Sequence, residues 1–162
     1  GAATKGLQVP GMRVGWVVAA QKHIEIFRNY SSFAMGGVSR ASQLYVTELL
    51  QAERVARARE AIGDYYTAQR RRYGEGLGKL GVELFTGDGG FYHWGRLPSG
   101  LTGDAFNLRL MAHKAAILPG RLCDMARRGD CGPLGSMIRF SFGPLGPDSC
   151  DQDLAILARC LR

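Results

Sequence analysis

The hydrophobic pattern near the N-terminus changes period within about thirty residues. Residues 13–20, Arg13-Val14-Gly15-Trp16-Val17-Val18-Ala19-Ala20, form a β-branched run between Pro10-Gly11 and a polar stretch, which predicts a mostly buried strand. Apolar positions at Ala20, Ile24 and Phe27 then have helical spacing, so a short helix is expected over residues 21–30, ended by Ser31-Ser32 and a loop at Gly36-Gly37. From Ser39 a helical pattern runs through Leu44, Leu49, Val55, Ala58, Ile62 and Tyr66 toward Leu77 and Leu80. A single helix of that length is unusual in a globular domain. Two or three helices are expected, with a change of direction near residues 49–54 and interruptions at Gly63, Gly74 and Gly76.

Beyond this region strands and helices alternate. Strands are expected at residues 82–85 and 91–97 around the turn Thr86-Gly87-Asp88-Gly89-Gly90, followed by a helix over 102–114. A strand at 116–118 closes on Pro119-Gly120, and a short helix at 122–126, a strand at 136–142 and a final helix at 148–161 follow. Strands interleaved with helices at this spacing predict an α/β or α+β layered domain.

Composition adds little to fold but bounds function. The 162 residues are 46% hydrophobic and 22% charged, the balance of a folded chain. Net charge is 21 − 14 = +7, a sign that favours anionic partners without choosing among them. The densest basic run, Arg54, Arg57 and Arg59 with Arg70, Arg71 and Arg72, suits the wet face of a long helix, and no aromatic-interleaved basic motif accompanies it, so nucleic acid is not an expected partner. Cys123, Cys131, Cys150 and Cys160 lack the C-x-x-C spacing of a zinc or redox motif, and reduced thiols of a cytoplasmic protein are the expectation. His23, His93 and His113 are scattered over different elements, so no metal site is expected. No charged-then-apolar leader and no apolar stretch of about 18 residues is visible, so no membrane partner is expected.

The candidate chemistry begins at the N-terminus. Lys5 lies in a turn of small residues where an amine can approach a ligand closely, and Arg13, 13 − 5 = 8 residues later, can aim a planar fork at a phosphate. By spacing alone an exposed lysine and an arginine in a surface ion pair remain the plainer alternative. A lysine amine also condenses with aldehydes, which is how pyridoxal 5'-phosphate (PLP) is tethered before its ring acts as an electron sink. Arg139 stands between Ile138 and Phe140 in an expected strand, where pairing with a structural carboxylate is the ordinary outcome.

The pattern Lys5 through Pro10, Gly11, Arg13 and Gly15 resembles the lysine signature K-x-x-x-x-P-G-x-R-x-G of class I/II, fold-type I PLP-dependent aminotransferases. Gly89-Gly90-Phe91-Tyr92-His93-Trp94-Gly95-Arg96-Leu97-Pro98 is similar to the family's G-G-F-[FY]-x-W strand. Ala116-Ile117-Leu118-Pro119-Gly120 resembles its P-G turn, and Met137-Ile138-Arg139-Phe140-Ser141-Phe142 its I-R-[LF]-S-[FY] strand. The family's usual serine three residues before the lysine is here Ala2, a departure that removes one phosphate contact.

The resemblance implies that Lys5 is the catalytic and cofactor-binding residue, joining PLP as a Schiff base and moving the proton at the substrate α-carbon. It implies further that Arg13 binds the cofactor phosphate and that Arg139 grips the substrate α-carboxylate. The implied fold is α/β: residues 1–50 are the C-terminal remnant of the large PLP-binding domain, and 51–162 the small C-terminal domain. The implied reaction is transfer of an amino group from an amino acid to a 2-oxo acid by a homodimer. Family members are more than twice as long, so this chain alone is expected to bind PLP weakly and to be inactive. Another PLP-dependent reaction on the same fold, such as a lyase or decarboxylase, and a non-catalytic interaction module stay open as alternatives.

Overall fold

A computed structural model describes residues 1–98, 100–129 and 132–162, so Cys131 lies outside the described residues. The chain divides into two compact units, Gly1–Gly63 and Asp64–Arg162.

The first unit holds α1 (Ala3–Gly6), a 3-10 turn at Pro10–Met12, α2 (Gln21–Ala34), α3 (Arg40–Leu49) and the start of α4 (Ala52–Lys79). The strand expected at residues 13–20 does not form. Arg13 sits in the left-handed region with φ 54°, and a lone antiparallel bridge, Ala2 to Gly15, is what pairs the segment. A strand without neighbours leaves its N–H and C=O groups unpaired, so Trp16 and Val18 stay exposed, Val18 at 92%, instead of being buried.

Helix α2 runs past Tyr30 and through Ser31 and Ser32, because serine is only mildly unfavourable in a helix. The break comes later, where Gly36 takes φ 69°. Ser39 caps α3 by accepting a hydrogen bond from the Ser42 amide at 3.4 Å. The two long helices part at residues 50–51, inside the expected window.

The second unit contains the remainder of α4 together with β1 (Glu83–Leu84), β2 (Tyr92–Arg96), α5 (Gly103–Met111), β3 (Leu118–Pro119), β4 (Met137–Ser141) and α6 (Cys150–Leu161). The expected short helix after Pro119 is a 3-10 turn at Gly120–Cys123. The strands form one antiparallel sheet in the order β1-β2-β4-β3, with β2 and β4 matched from Tyr92–Ser141 to Arg96–Met137. Ile138 and Phe140 turn one face of the sheet onto Tyr73 and Leu77 of α4, Phe106 and Leu110 of α5, and Leu157 and Cys160 of α6. On the other face Tyr92, Arg96 and Arg139 are exposed.

Helix α4 continues through Gly63, Gly74 and Gly76, where interruptions were expected. Each glycine costs a helix about 1 kcal/mol relative to alanine. The missing side chains allow close packing: a Cβ on Gly74 would lie 3.2 Å from the His93 ring, and one on Gly76 would run into Leu154. The basic run on this helix is also not uniformly solvated. Arg70 donates to the carbonyls of Gly87, Gly90 and Tyr92, and Arg72 to that of Pro147 at 2.8 Å, so two of the six arginines tie down loops.

His93 fastens β2 to α4. Its Nε2 pairs with the Arg70 carbonyl at 3.0 Å and its Nδ1 with the Thr86 hydroxyl at 3.1 Å, both beneath the sheet. Burial lowers its pKa from 6.5, and the nearby Arg70 guanidinium acts in the same direction. The folded state thus prefers the neutral ring. The stabilisation is complete above the unfolded value and is lost as pH falls below 6.5 toward the lower folded value. Melting curves should show Tm dropping from pH 7.5 to pH 5, with His93→Gln flattening that part of the profile. An equal slope in the variant would assign the acid sensitivity to other groups.

Candidate functional site

Residues 1–16 close into a loop whose ends lie antiparallel. The Ala3 amide donates to the Val14 carbonyl at 3.0 Å and the Trp16 amide to the Gly1 carbonyl at 2.8 Å. Gly15 lets the two ends approach closely, since a Cβ there would stand 3.1 Å from the Gly1 carbonyl. Between these ends the chain makes the single turn of α1, with Ala3 buried beneath it and Lys5 exposed, and then the 3-10 turn started by Pro10. Arg13 follows directly, exposed, with Nη1 donating to the Pro10 carbonyl at 3.1 Å. The rest of its guanidinium makes no hydrogen bond or ion pair with a described residue.

The same unit contains a concavity of about 330 Å³ beside this loop, bounded in part by Gly15, Arg28, Ser31, Ser32, Gly37 and Gln43. Sequence reasoning did not find it. Its lining comes from α2, α3 and the loop between them, and the expected break at Ser31-Ser32 placed those hydroxyls outside the helix.

Arg139 belongs to the second unit, at the centre of β4. Its register partners are Trp94 on β2 and Leu118 on β3, and its guanidinium stands 5.4 Å from the centre of the Tyr92 ring. It makes no hydrogen bond or ion pair with any described residue. Among the described residues it therefore lacks the structural carboxylate that an arginine in a strand ordinarily finds. Elsewhere in the unit arginines do find such partners: Arg121 forks onto Asp104 at 2.6 and 2.7 Å, and Arg128 onto Asp124 at 2.9 and 3.0 Å. That second pair, with the Ala126 and Arg128 amides, holds the Asp124 carboxyl well below the usual carboxylate range.

Lys5 and Arg13 thus share one loop of the first unit, and Arg139 lies in the second. A primary amine and a guanidinium with unused donors are the chemistry an aldehyde-phosphate cofactor requires, so the residues present fit PLP. Ala2 supplies no hydroxyl to that set. Among the described residues no group of three His, Cys, Asp or Glu side chains is arranged to hold a metal, and no helix is long and apolar enough to cross a membrane.

The fold is that of the PLP-dependent fold-type I aminotransferases. The structure superposes on the α-aminoadipate aminotransferase LysN of Thermus thermophilus, solved with N-(5'-phosphopyridoxyl)-L-leucine, at a TM-score of 0.78 and 23% identity, over 94% of this chain and 38% of that one. Residues 1–150 match the family described as aminotransferase class I and II, and the chain belongs to that family. It is 27% identical over 129 residues to an uncharacterized HTH-type transcriptional regulator, YdcR, of Escherichia coli, covering 70% of this chain and 25% of that protein. It is 25% identical over 118 residues to the LL-diaminopimelate aminotransferase of Dehalococcoides mccartyi, covering 72% of this chain and 30% of that protein. The chain therefore spans between a quarter and a third of the length of these curated relatives.

Proposed function

We propose that this chain carries the cofactor lysine and the substrate-carboxylate arginine of a PLP-dependent aminotransferase that moves an amino group from an amino acid to a 2-oxo acid. The observation that carries the reading is the closed N-terminal loop, which presents the Lys5 amine and an Arg13 fork with unused donors within one family-matched segment. In this reading residues 1–50 are the end of a large PLP-binding domain and 51–162 the small domain, within a cytoplasmic homodimer.

Lys5 holds the cofactor through its amine and carries the proton to and from the substrate α-carbon at Nζ. Arg13 clamps the phosphate with the donors that Pro10 leaves unused. Arg139 orients the substrate by a paired contact to its α-carboxylate, for which no described residue competes. When bound, PLP supplies the electron sink that stabilises charge developing at the α-carbon.

The test is to mix the chain with PLP, reduce with borohydride and map the pyridoxyl group by peptide mass spectrometry. Lys5 should carry most of the label, and Lys5→Ala should lose it, while Arg13→Ala should reduce labelling about tenfold, the loss of about 1.4 kcal/mol from a charge-assisted pair. Label spread over several lysines and unchanged in Lys5→Ala would overturn the assignment.

A further inference from the structure

The exposed face of the sheet is not chemically neutral around Arg139. In an antiparallel pair, directly opposed residues project from the same face with their side chains in contact range. Arg139 is therefore flanked by Trp94 on one side and Leu118 on the other, with the Tyr92 ring 5.4 Å from its guanidinium. Trp94 and Leu118 are half-buried and Tyr92 is exposed, so all three offer apolar surface to a ligand.

Among the described residues no carboxylate neutralises the guanidinium. Glu83 on β1, two strands from Arg139, is paired with Arg96 at 2.8 Å, and Arg96 also lies over Phe85. Arg96 is thus charge-balanced by Glu83, so among the described residues a second carboxylate finds no uncompensated cation beside Arg139. The patch is one available fork set among two aromatic rings and a leucine.

Such a surface selects by chemistry. One anionic group satisfies the fork, and whatever the carboxylate is attached to meets apolar, π-bearing side chains. A second carboxylate would lose hydration there without gaining a cation.

We propose that the Arg139 face selects monocarboxylates bearing an aromatic or branched apolar group, so that the amino-acid substrate is apolar or aromatic and not acidic. This rests on the reading of Arg139 as the residue that grips the substrate carboxylate. It goes further in assigning Tyr92, Trp94 and Leu118 as the residues that choose the side chain.

The experiment uses the full chain with Trp16→Phe, which leaves Trp94 as the tryptophan reporter. Fluorescence titrations would compare 3-phenylpropionate, propionate, glutarate and the neutral 3-phenylpropanamide. Phenylpropionate should bind about tenfold tighter than propionate and than the amide, a step of about 1.4 kcal/mol for each of the ring contact and the carboxylate contact. Glutarate should bind no tighter than propionate. Tyr92→Ala should erase most of the phenyl advantage and leave propionate unchanged, and Arg139→Lys should weaken both acids without affecting the amide.

Equal binding of propionate and phenylpropionate, or tightest binding of glutarate, overturns the proposed substrate class while Arg139 keeps its carboxylate role. If the amide matches the acid and Arg139→Lys changes nothing, the role of Arg139 itself fails. A chain that gives no saturable response to phenylpropionate also overturns the proposal.

Discussion

Replacing Phe142 by alanine should lower the stability of the Asp64–Arg162 unit by about 3–5 kcal/mol, the range for truncating a fully buried aromatic. Phe142 is completely buried just beyond β4 and is the residue on which three aromatic rings converge. It stacks on Tyr73 of α4 at 5.9 Å, meets the His93 ring of β2 at 5.3 Å and approaches Tyr66 at 6.4 Å. Its amide donates to the Phe91 carbonyl at 3.0 Å, so the backbone beneath the ring is fixed and cannot collapse into the vacated space. Phe142→Leu keeps most of the volume and should cost about 1–2 kcal/mol. Urea titration followed by Trp94 in a Trp16→Phe background measures both, and equal small losses would mean that α4 moves to fill the cavity.

Much of this unit is legible in the sequence because each cue is local. The turn residues at 86–90, the alternation through Tyr92-His93-Trp94 and the Pro119-Gly120 turn each fix an element within a few residues of themselves. The turn between α3 and α4 is found for the same reason. The strand expected at residues 13–20 fails because a strand is a property of pairs: its β-branched sequence states a preference, but hydrogen bonds need a neighbour, and Ala2 is the one that bridges to it. The same limit hides the roles of Arg70 and Arg72, whose carbonyl partners in the 87–92 and 147 regions lie on other elements.

The candidate site divides along the same line. Lys5, Arg13 and Arg139 stand out by motif. The composition of the surface around Arg139 does not, because it follows from the register that sets Trp94 and Leu118 on either side of it. Shifting β2 by one residue would place His93 there and turn Trp94 toward the core, so no reading of β4 alone could state what surrounds its arginine. The concavity at Arg28 was missed for a different reason, a helix end placed too early.

Two glycines of the family motifs should respond to substitution in opposite ways. Gly120, which follows the short edge strand β3, has no room for a side chain: a Cβ would lie 2.5 Å from that of Met137 and 2.7 Å from the carbonyls of Leu134 and Met137. Two of the three obstacles are backbone, at the entry to β4, and β4 is pinned on both sides by its partner strands. Gly120→Ala should therefore cost about 2–3 kcal/mol, as overpacking against atoms that cannot rotate away does. Because relief must come from shifting β3 or the start of β4, the same variant should also weaken phenylpropionate binding at Arg139. Gly89 has nothing within 4 Å of the equivalent position and no left-handed backbone, so Gly89→Ala should stay within about 0.5 kcal/mol of the parent. Urea titrations of the two variants decide the matter. A neutral Gly120→Ala would show that the turn yields without moving the sheet, and the glycine would then be a feature of the motif without a packing role.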